Sequence, residues 1–316
     1  MPRVLVVTHD WLPGFDAEVK RVANLCRYLP ATGWSPHILT TNGPRPNDLT
    51  LSDDEIARSP SLKFAASLPV TRAPGSMSDA GLAAVRQFGI GAVMSVCPPA
   101  LDHVAGGEIA RRAGIPWVAL FDDLDELYIG PADGRSSLER RRAASQARSW
   151  LRDVWRVGAG TARTLEYLRQ SFDVEGDVVA PAFDPDERRL APHRDPSAPM
   201  RIVHAGAIDR VTQTPTVLFD ALDALVATEP EARDAVQLDV LESGIDEFLR
   251  ARLAGRACEP MVRLHARVEP CEVARMQRES DLLVTLHRED PIARALGGDT
   301  RAATELVELF CAARPI

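Results

Sequence analysis

Short apolar runs alternate with helix-length amphipathic segments from one end of the chain to the other, the pattern of βα units built on a parallel sheet. Val4–Val7 reads as a buried strand and Thr8–Asp16, with Pro13 and Gly14, as a loop. Glu18–Leu29 reads as a helix, because Val19, Val22, Ala23, Cys26 and Leu29 recur at helical spacing. A second strand is expected at His37–Thr40. Asn42–Leu62 is polar and proline-bearing and reads as an irregular excursion. Further strands are expected at Ala92–Val96, Val118–Phe121, Val154–Val157 and Val178–Val179. Each lies near a helical segment: Leu82–Phe88, Val104–Ala113, Leu138–Leu151 or Thr161–Phe172. Together they make one doubly wound α/β domain over residues 1–180.

Pro181, Pro185, Pro192, Pro196 and Pro199 then fall among charged residues, a composition that holds neither a long helix nor a central strand. Residues 181–199 read as an interdomain linker. The alternation restarts beyond it. Strands are expected at Arg201–His204, Val236–Leu241, Val262–His265 and Leu282–Leu286, with helices at Thr216–Ala227, Ile245–Leu253, Glu272–Glu279 and Ala302–Ala312. Residues 200–316 thus form a second Rossmann-like domain. The closing Ala-Ala-Arg-Pro-Ile316 reads as a helix end, a turn and the first residue of a strand, so this domain is expected to be incomplete.

The length of 316 residues fits two such domains, and 45% apolar with 26% charged residues is ordinary globular composition. A net charge of −8 argues against a nucleic-acid partner, whose binding rests on phosphate neutralisation. Cys26, Cys97, Cys258, Cys271 and Cys311 are widely spaced and contain no CxxC, so neither a disulfide framework nor a zinc site is indicated. The apolar run after Met1 is too short for a signal-peptide core, and nowhere do about 18 apolar residues run uninterrupted. A cytoplasmic location is expected.

Six pieces in order carry a family resemblance. They are Val4-Leu-Val-Val-Thr-His-Asp-Trp-Leu-Pro-Gly14 with Arg21–Leu29; Pro98-Pro99 with His103; Gly114-Ile-Pro-Trp-Val118 to Phe121 and Asp123; Pro181 with Phe183-Asp-Pro185; Val203-His-Ala-Gly206; and Glu308-Leu-Phe-Cys-Ala-Ala-Arg-Pro-Ile316. The chain resembles family 4 glycosyltransferases of GT-B fold along essentially its whole length. The resemblance implies two Rossmann-like domains with a ligand cleft between them, a nucleotide-diphosphate sugar on the C-terminal domain and an acceptor on the N-terminal one. It also implies retention at the anomeric carbon, no metal and no cofactor beyond the sugar nucleotide.

The chemistry needs cations or backbone N–H groups on the leaving diphosphate, an acceptor for the ribose hydroxyls and groups that position both sugars. Gly14, entering the first helix, would let backbone approach the diphosphate or donor sugar, although Phe15 and Asp16 stand where the family usually has a further glycine. By resemblance, His103 is a donor-sugar contact at the catalytic centre and Asp123 the aspartate near the acceptor. Asp122, Asp123, Asp125 and Glu126 form an acidic cluster, but the fold class needs no metal there. After Gly206 the family's arginine is replaced by Ala207, and no lysine follows Lys63, which leaves Arg210 as the cation for the diphosphate. Glu308 matches the glutamate that holds the nucleotide ribose. The family's other carboxylate falls on Thr300, its lysine-bearing variant on Glu305, and Ala313 replaces a glycine.

Residues 135–156 hold seven arginines with Trp150, Leu151, Val154 and Trp155 interleaved. Such a run is either a solvated helix feeding a buried strand or a peripheral contact with an anionic membrane. The leading reading is a retaining glycosyltransferase that moves a sugar from a UDP- or GDP-sugar to a saccharide, lipid-linked or glycoconjugate acceptor in envelope polysaccharide assembly. A non-catalytic GT-B partner subunit and a nucleotide-sugar epimerase are the alternatives. No GxSxG, HExxH, Walker loop or GxGxxG supports a hydrolase, metalloprotease or dinucleotide enzyme.

Overall fold

The computed structural model describes every residue except 16, 42, 44–49, 98, 125, 126, 129–135, 183, 188–196, 206–215, 242–245, 266, 267, 269, 287–290, 298–311 and 313–316. The chain divides into two compact units. One comprises Met1–Ala182 with a later stretch that begins at Pro291, and the other runs from Phe183 to Asp290 and takes in Ala312.

The first unit contains β1 (Arg3–Val7), α1 (Ala17–Tyr28), β2 (Ser35–Thr41), α2 (Asp53–Arg58), α3 (Pro60–Ala66), β3 (Val70–Ala73) and α4 (Met77–Phe88). It continues with β4 (Ile90–Cys97), α5 (Ala100–Ala113), β5 (Trp117–Phe121), α6 (Ser137–Leu151), β6 (Arg156–Ala159), α7 (Ala162–Phe172) and β7 (Gly176–Val178). Its seven strands pair in parallel in the order β3-β2-β1-β4-β5-β6-β7. Alternate residues of β1 feed opposite faces: Leu5 and Val7 join a core with Ile109, Trp117, Phe121 and Leu168, while Val4 and Val6 join one with Val19, Val22, Cys26 and Leu62. Each wholly buried Leu, Ile or Phe contributes about 1.5–3 kcal/mol, so both faces must be covered for the sheet to persist.

Several features depart from the pattern read in the sequence. The expected irregular excursion carries α2 and α3. Ser52 and Glu55 form a reciprocal capping box, and Ser59 caps α3 ahead of Pro60. Leu62 and Ala65 then pack against α1, which offsets the polar composition of the segment. An unexpected edge strand, β3, buries only Ala73, so it left almost no apolar signal. The strand expected at Val154–Val157 lies two residues later.

The second unit contains β8 (Met200–Ala205), α8 (Thr216–Thr228), α9 (Ala232–Ala235), β9 (Val236–Leu241), α10 (Asp246–Leu253), β10 (Val262–His265), α11 (Pro270–Glu279) and β11 (Leu282–Val284). Its described strands are all parallel, in the order β10-β9-β8-β11. Phe219, Leu238, Leu249 and Met261 fill one face. The helix expected at Ala302–Ala312 lies outside the described residues except for Ala312. A last short helix, α12 (Pro291–Leu296), differs from the boundary drawn at residue 200: Ile292 is buried in the first unit's core, with Leu296 packed against it.

Candidate functional site at the switch between β1 and β4

In an open parallel sheet, ligands bind beyond the carboxyl ends of the strands, where the strand order reverses. Here that point lies between β1 and β4. The chain leaves β1 toward β2 and β3, then returns to β4 on the other side. Three segments border it: the loop after β1, the first turn of α5 and the residues after β5.

The loop after β1 is held along its length. Thr40 Oγ1 and Thr41 Oγ1 donate to the His9 carbonyl at 2.8 and 2.9 Å, and Thr8, wholly buried, places Oγ1 3.4 Å from Glu18 Oε1. Trp11 and Leu12 are buried in the core, and the Leu12–Pro13 peptide is cis. Arg72 Nη2 donates to the Leu12 carbonyl at 2.6 Å, and the Leu51 amide donates to the Pro13 carbonyl at 2.8 Å. Gly14, the expected close-approach glycine, is itself buried and forms an antiparallel bridge with Thr50.

α5 approaches the sheet closely because its middle carries glycines. A Cβ on Gly106 would meet Ser95 at 2.9 Å, and one on Gly107 would meet the Trp117 ring at 2.9 Å. That closeness seats the first turn of α5 at the end of β4. There His103 is wholly enclosed: its ring lies edge-on to Phe121 at 4.4 Å, and its Nδ1 is 2.6 Å from Ser95 Oγ, which also accepts from Trp117 Nε1 at 2.8 Å. Burial pushes the imidazole down to about 3, so the ring is neutral. Its Nε2 is enclosed with no hydrogen-bond partner among the described residues, and the sugar contact expected of His103 stays a proposal. The sequence showed the motif but not its inward orientation.

Asp102, one residue earlier, is also wholly buried, and its Oδ1 lies 3.9 Å from Nδ1 of His9, which is 23% exposed. Beyond β5, Asp122 pairs with Arg21 of α1, a guanidinium only 9% exposed and pushed down to about 10 by burial. Asp123 is half-buried beside it. The structure thus brings Asp123 to the same sheet end as the loop that carries Gly14, and adds His9, Asp102 and Arg21. A histidine two positions past the end of an apolar strand is the signal that could have singled out His9.

Gly206, Arg210 and Glu308 lie outside the described residues, as do Asp16, Asp125, Glu126, Thr300, Glu305 and Ala313. Two residues before Gly206, His204 is 2% exposed, places Nδ1 3.0 Å from the Val284 carbonyl and has its pKa lowered by burial. Among the described residues, no group of three His, Cys, Asp or Glu is placed to hold a metal ion.

The family described as a glycosyl transferase 4-like domain matches residues 18–181, just over half of the chain. The chain belongs to that glycosyltransferase family. No curated protein matches it by sequence. Among solved structures, it is similar to HepE of Anabaena in complex with UDP-glucose, with a TM-score of 0.63 and 13% identity over 99% of this chain and 79% of that one. A TarM mutant of S. aureus in complex with Fondaparinux, alpha-GlcNAc-glycerol and UDP gives a TM-score of 0.63 and 8% identity over 100% and 85%. Sucrose-phosphate synthase from Thermosynechococcus elongatus gives 0.59 and 13% over 90% and 75%. At these identities the likeness is one of fold. The glycosyltransferase has the two-sheet GT-B architecture that its sequence led us to expect.

Proposed function

We propose that the protein transfers a glycosyl group, with retention, from a UDP- or GDP-sugar to a saccharide, lipid-linked or glycoconjugate acceptor. The observation that carries this reading is the family match, which runs from α1 through β7 and so includes Arg21, Asp102, Asp122 and Asp123. The complexes of HepE with UDP-glucose and of TarM with UDP favour a sugar nucleotide as donor. In this reading Asp123 serves the acceptor at the first unit, with the Gly14 loop beside it. Gly206, Arg210 and Glu308 of the second unit hold the nucleotide, and no metal is needed. His103 is the donor-sugar contact, with its ring oriented by the bond to Ser95.

Envelope polysaccharide assembly at the inner membrane face belongs to the same reading. Arg141, Arg142, Arg148 and Arg152 are exposed, while Ala144, Ala147 and Leu151 are buried. The basic side of α6 is therefore open to an anionic surface. Among the described residues, no helix is long and apolar enough to cross a membrane.

The test uses the full chain with UDP-glucose and GDP-mannose, measuring nucleotide release with and without saccharide acceptors and the anomeric configuration of any product. Arg210→Ala and Glu308→Ala should each weaken nucleotide binding by about tenfold, the scale of a lost charge-assisted hydrogen bond. Absence of nucleotide binding and of donor consumption in the unsubstituted chain would overturn the reading.

A further inference from the structure

Two residues in register on neighbouring strands grip the loop after β1 at two of its carbonyls. Arg72 of β3 stands opposite Thr40 of β2. Thr40 Oγ1 donates to the His9 carbonyl at 2.8 Å, and Arg72 Nη2 donates to the Leu12 carbonyl at 2.6 Å. The loop then closes a turn in which the Gly14 amide donates to the Trp11 carbonyl at 3.1 Å. The stretch before α2 fastens the far side of that turn: the Leu51 amide donates to the Pro13 carbonyl, and Thr50 bridges to Gly14.

The anchors from β2 and from the stretch before α2 are neutral, whereas Arg72 is charged. A hydrogen bond from an ionised donor is roughly twice as strong as one between neutral groups. Arg72 also stands on an edge strand that buries only Ala73, so the strand itself gains little from so long a side chain. Its Nη1 is enclosed with no hydrogen-bond partner among the described residues, a state that costs free energy and that packing alone would not select. The bond to Leu12 is what the guanidinium supplies.

We propose that Arg72 is a positioning residue for glycosyl transfer, holding the turn that ends in Gly14 at the height at which it meets the sugar nucleotide. This rests on the transferase reading above. The guanidinium acts through the Leu12 carbonyl and touches neither sugar. Ligands of an open parallel sheet bind where this turn lies, and a contacting group displaced by about 1 Å costs up to about 100-fold in rate.

The experiment uses the full chain with UDP-glucose or GDP-mannose as donor and methyl and octyl hexosides as acceptors, beside amide hydrogen exchange. Arg72→Met keeps an unbranched stem and removes the donors. It should raise donor KM about tenfold, the scale of one lost charge-assisted bond, while kcat and acceptor KM stay within about threefold. Exchange of the Gly14 and Leu51 amides should quicken by about tenfold, with that of β1 and β4 unchanged. Arg72→Lys, which keeps a point charge without the fork, should fall between the two. Guanidinium chloride at a low, non-denaturing concentration should return part of the donor affinity to Arg72→Met. Should Arg72→Met fail to fold, Arg72→Lys decides by the same two readouts. Unchanged exchange at Gly14 and Leu51, or faster exchange with an unchanged donor KM, overturns the role of Arg72. So does an equal loss in kcat and both KM values with a lowered unfolding midpoint, which marks a side chain of purely structural use. Each of these leaves the transferase reading standing. No turnover in the unsubstituted chain removes that reading itself, and this inference with it.

Discussion

Buried His103 makes a prediction about acid stability that separates a histidine closed to water from one open to it. Folded, its pKa is pushed down to about 3 by loss of solvent; unfolded, the imidazole regains its ordinary value near 6.5. Because the folded value is depressed, the unfolded chain binds the extra proton. The stabilisation is complete above pH about 6.5 and is lost as pH falls from there toward 3. Between pH 7 and pH 5 the linkage costs the fold about 2 kcal/mol, and about 4 kcal/mol by pH 3. The perturbation is His103→Gln, which cannot titrate. Other groups titrate too, but they do so in both proteins, so the difference between the two pH dependences isolates His103. All five tryptophans, Trp11, Trp34, Trp117, Trp150 and Trp155, lie within residues 1–182, so urea unfolding followed by their fluorescence reports on the first unit. His103→Gln will be less stable at pH 7, because Ser95 Oγ loses one of its two partners and Phe121 loses the ring packed edge-on against it. The gap between the two proteins should narrow by about 2 kcal/mol on going to pH 5. Parallel pH dependences would refute the argument, since they would mean that the ring reaches water in the folded state.

In the second unit, wholly buried Asp239 accepts from Arg201 Nε at 2.6 Å, Gln237 Nε2 at 2.8 Å and His265 Nε2 at 2.6 Å. Burial alone would raise its pKa, but the bonds from Arg201 and His265 outweigh it and hold the carboxyl below its usual range. Asp239→Asn should cost about 3 kcal/mol at neutral pH, read as faster amide exchange in β8 and β9, and the difference should shrink as pH falls below about 4. An Asn variant with native exchange would show that the cluster is not load-sharing. At the edge of the first sheet, Gly176→Ala drives a Cβ onto the Val157 carbonyl of the neighbouring strand, so β7 should lose protection in hydrogen exchange at a cost of about 1–3 kcal/mol. Unchanged protection of residues 176–178 would contradict that packing.

Much of this architecture was legible in the sequence because its signals are local. β9 and β10 lie where apolar runs placed them, and α1, α5 and α7 differ from the expected helices only at their ends. A buried parallel strand needs a continuous apolar run whatever surrounds it, and a helix packed on a sheet needs its stripe at helical spacing. α2 and α3 were missed because the capping signals at Ser52 and Ser59 were outweighed by polar composition, and β3 because an edge strand needs little burial.

The candidate site divides the same way. The motif order disclosed the family, and Asp123 could be placed at a strand's carboxyl end from its position after Val118–Phe121. Nothing in Pro99–His103 reveals which of two adjacent polar residues turns inward on the sheet and which turns toward the loop after β1. That choice depends on how closely Gly106 and Gly107 let α5 approach Ser95 and Trp117, a distance set by residues from three different elements. The approach of His9 to Asp102, 93 positions apart, likewise exists only once the strand order reverses between β1 and β4. The sequence by itself determined most of the elements, their parallel pairing and the family, since each follows from residues near in the chain. Tertiary structure alone decided which histidine is sealed in the core and which lies near a buried carboxylate, because desolvation and charge pairing arise from neighbours in space.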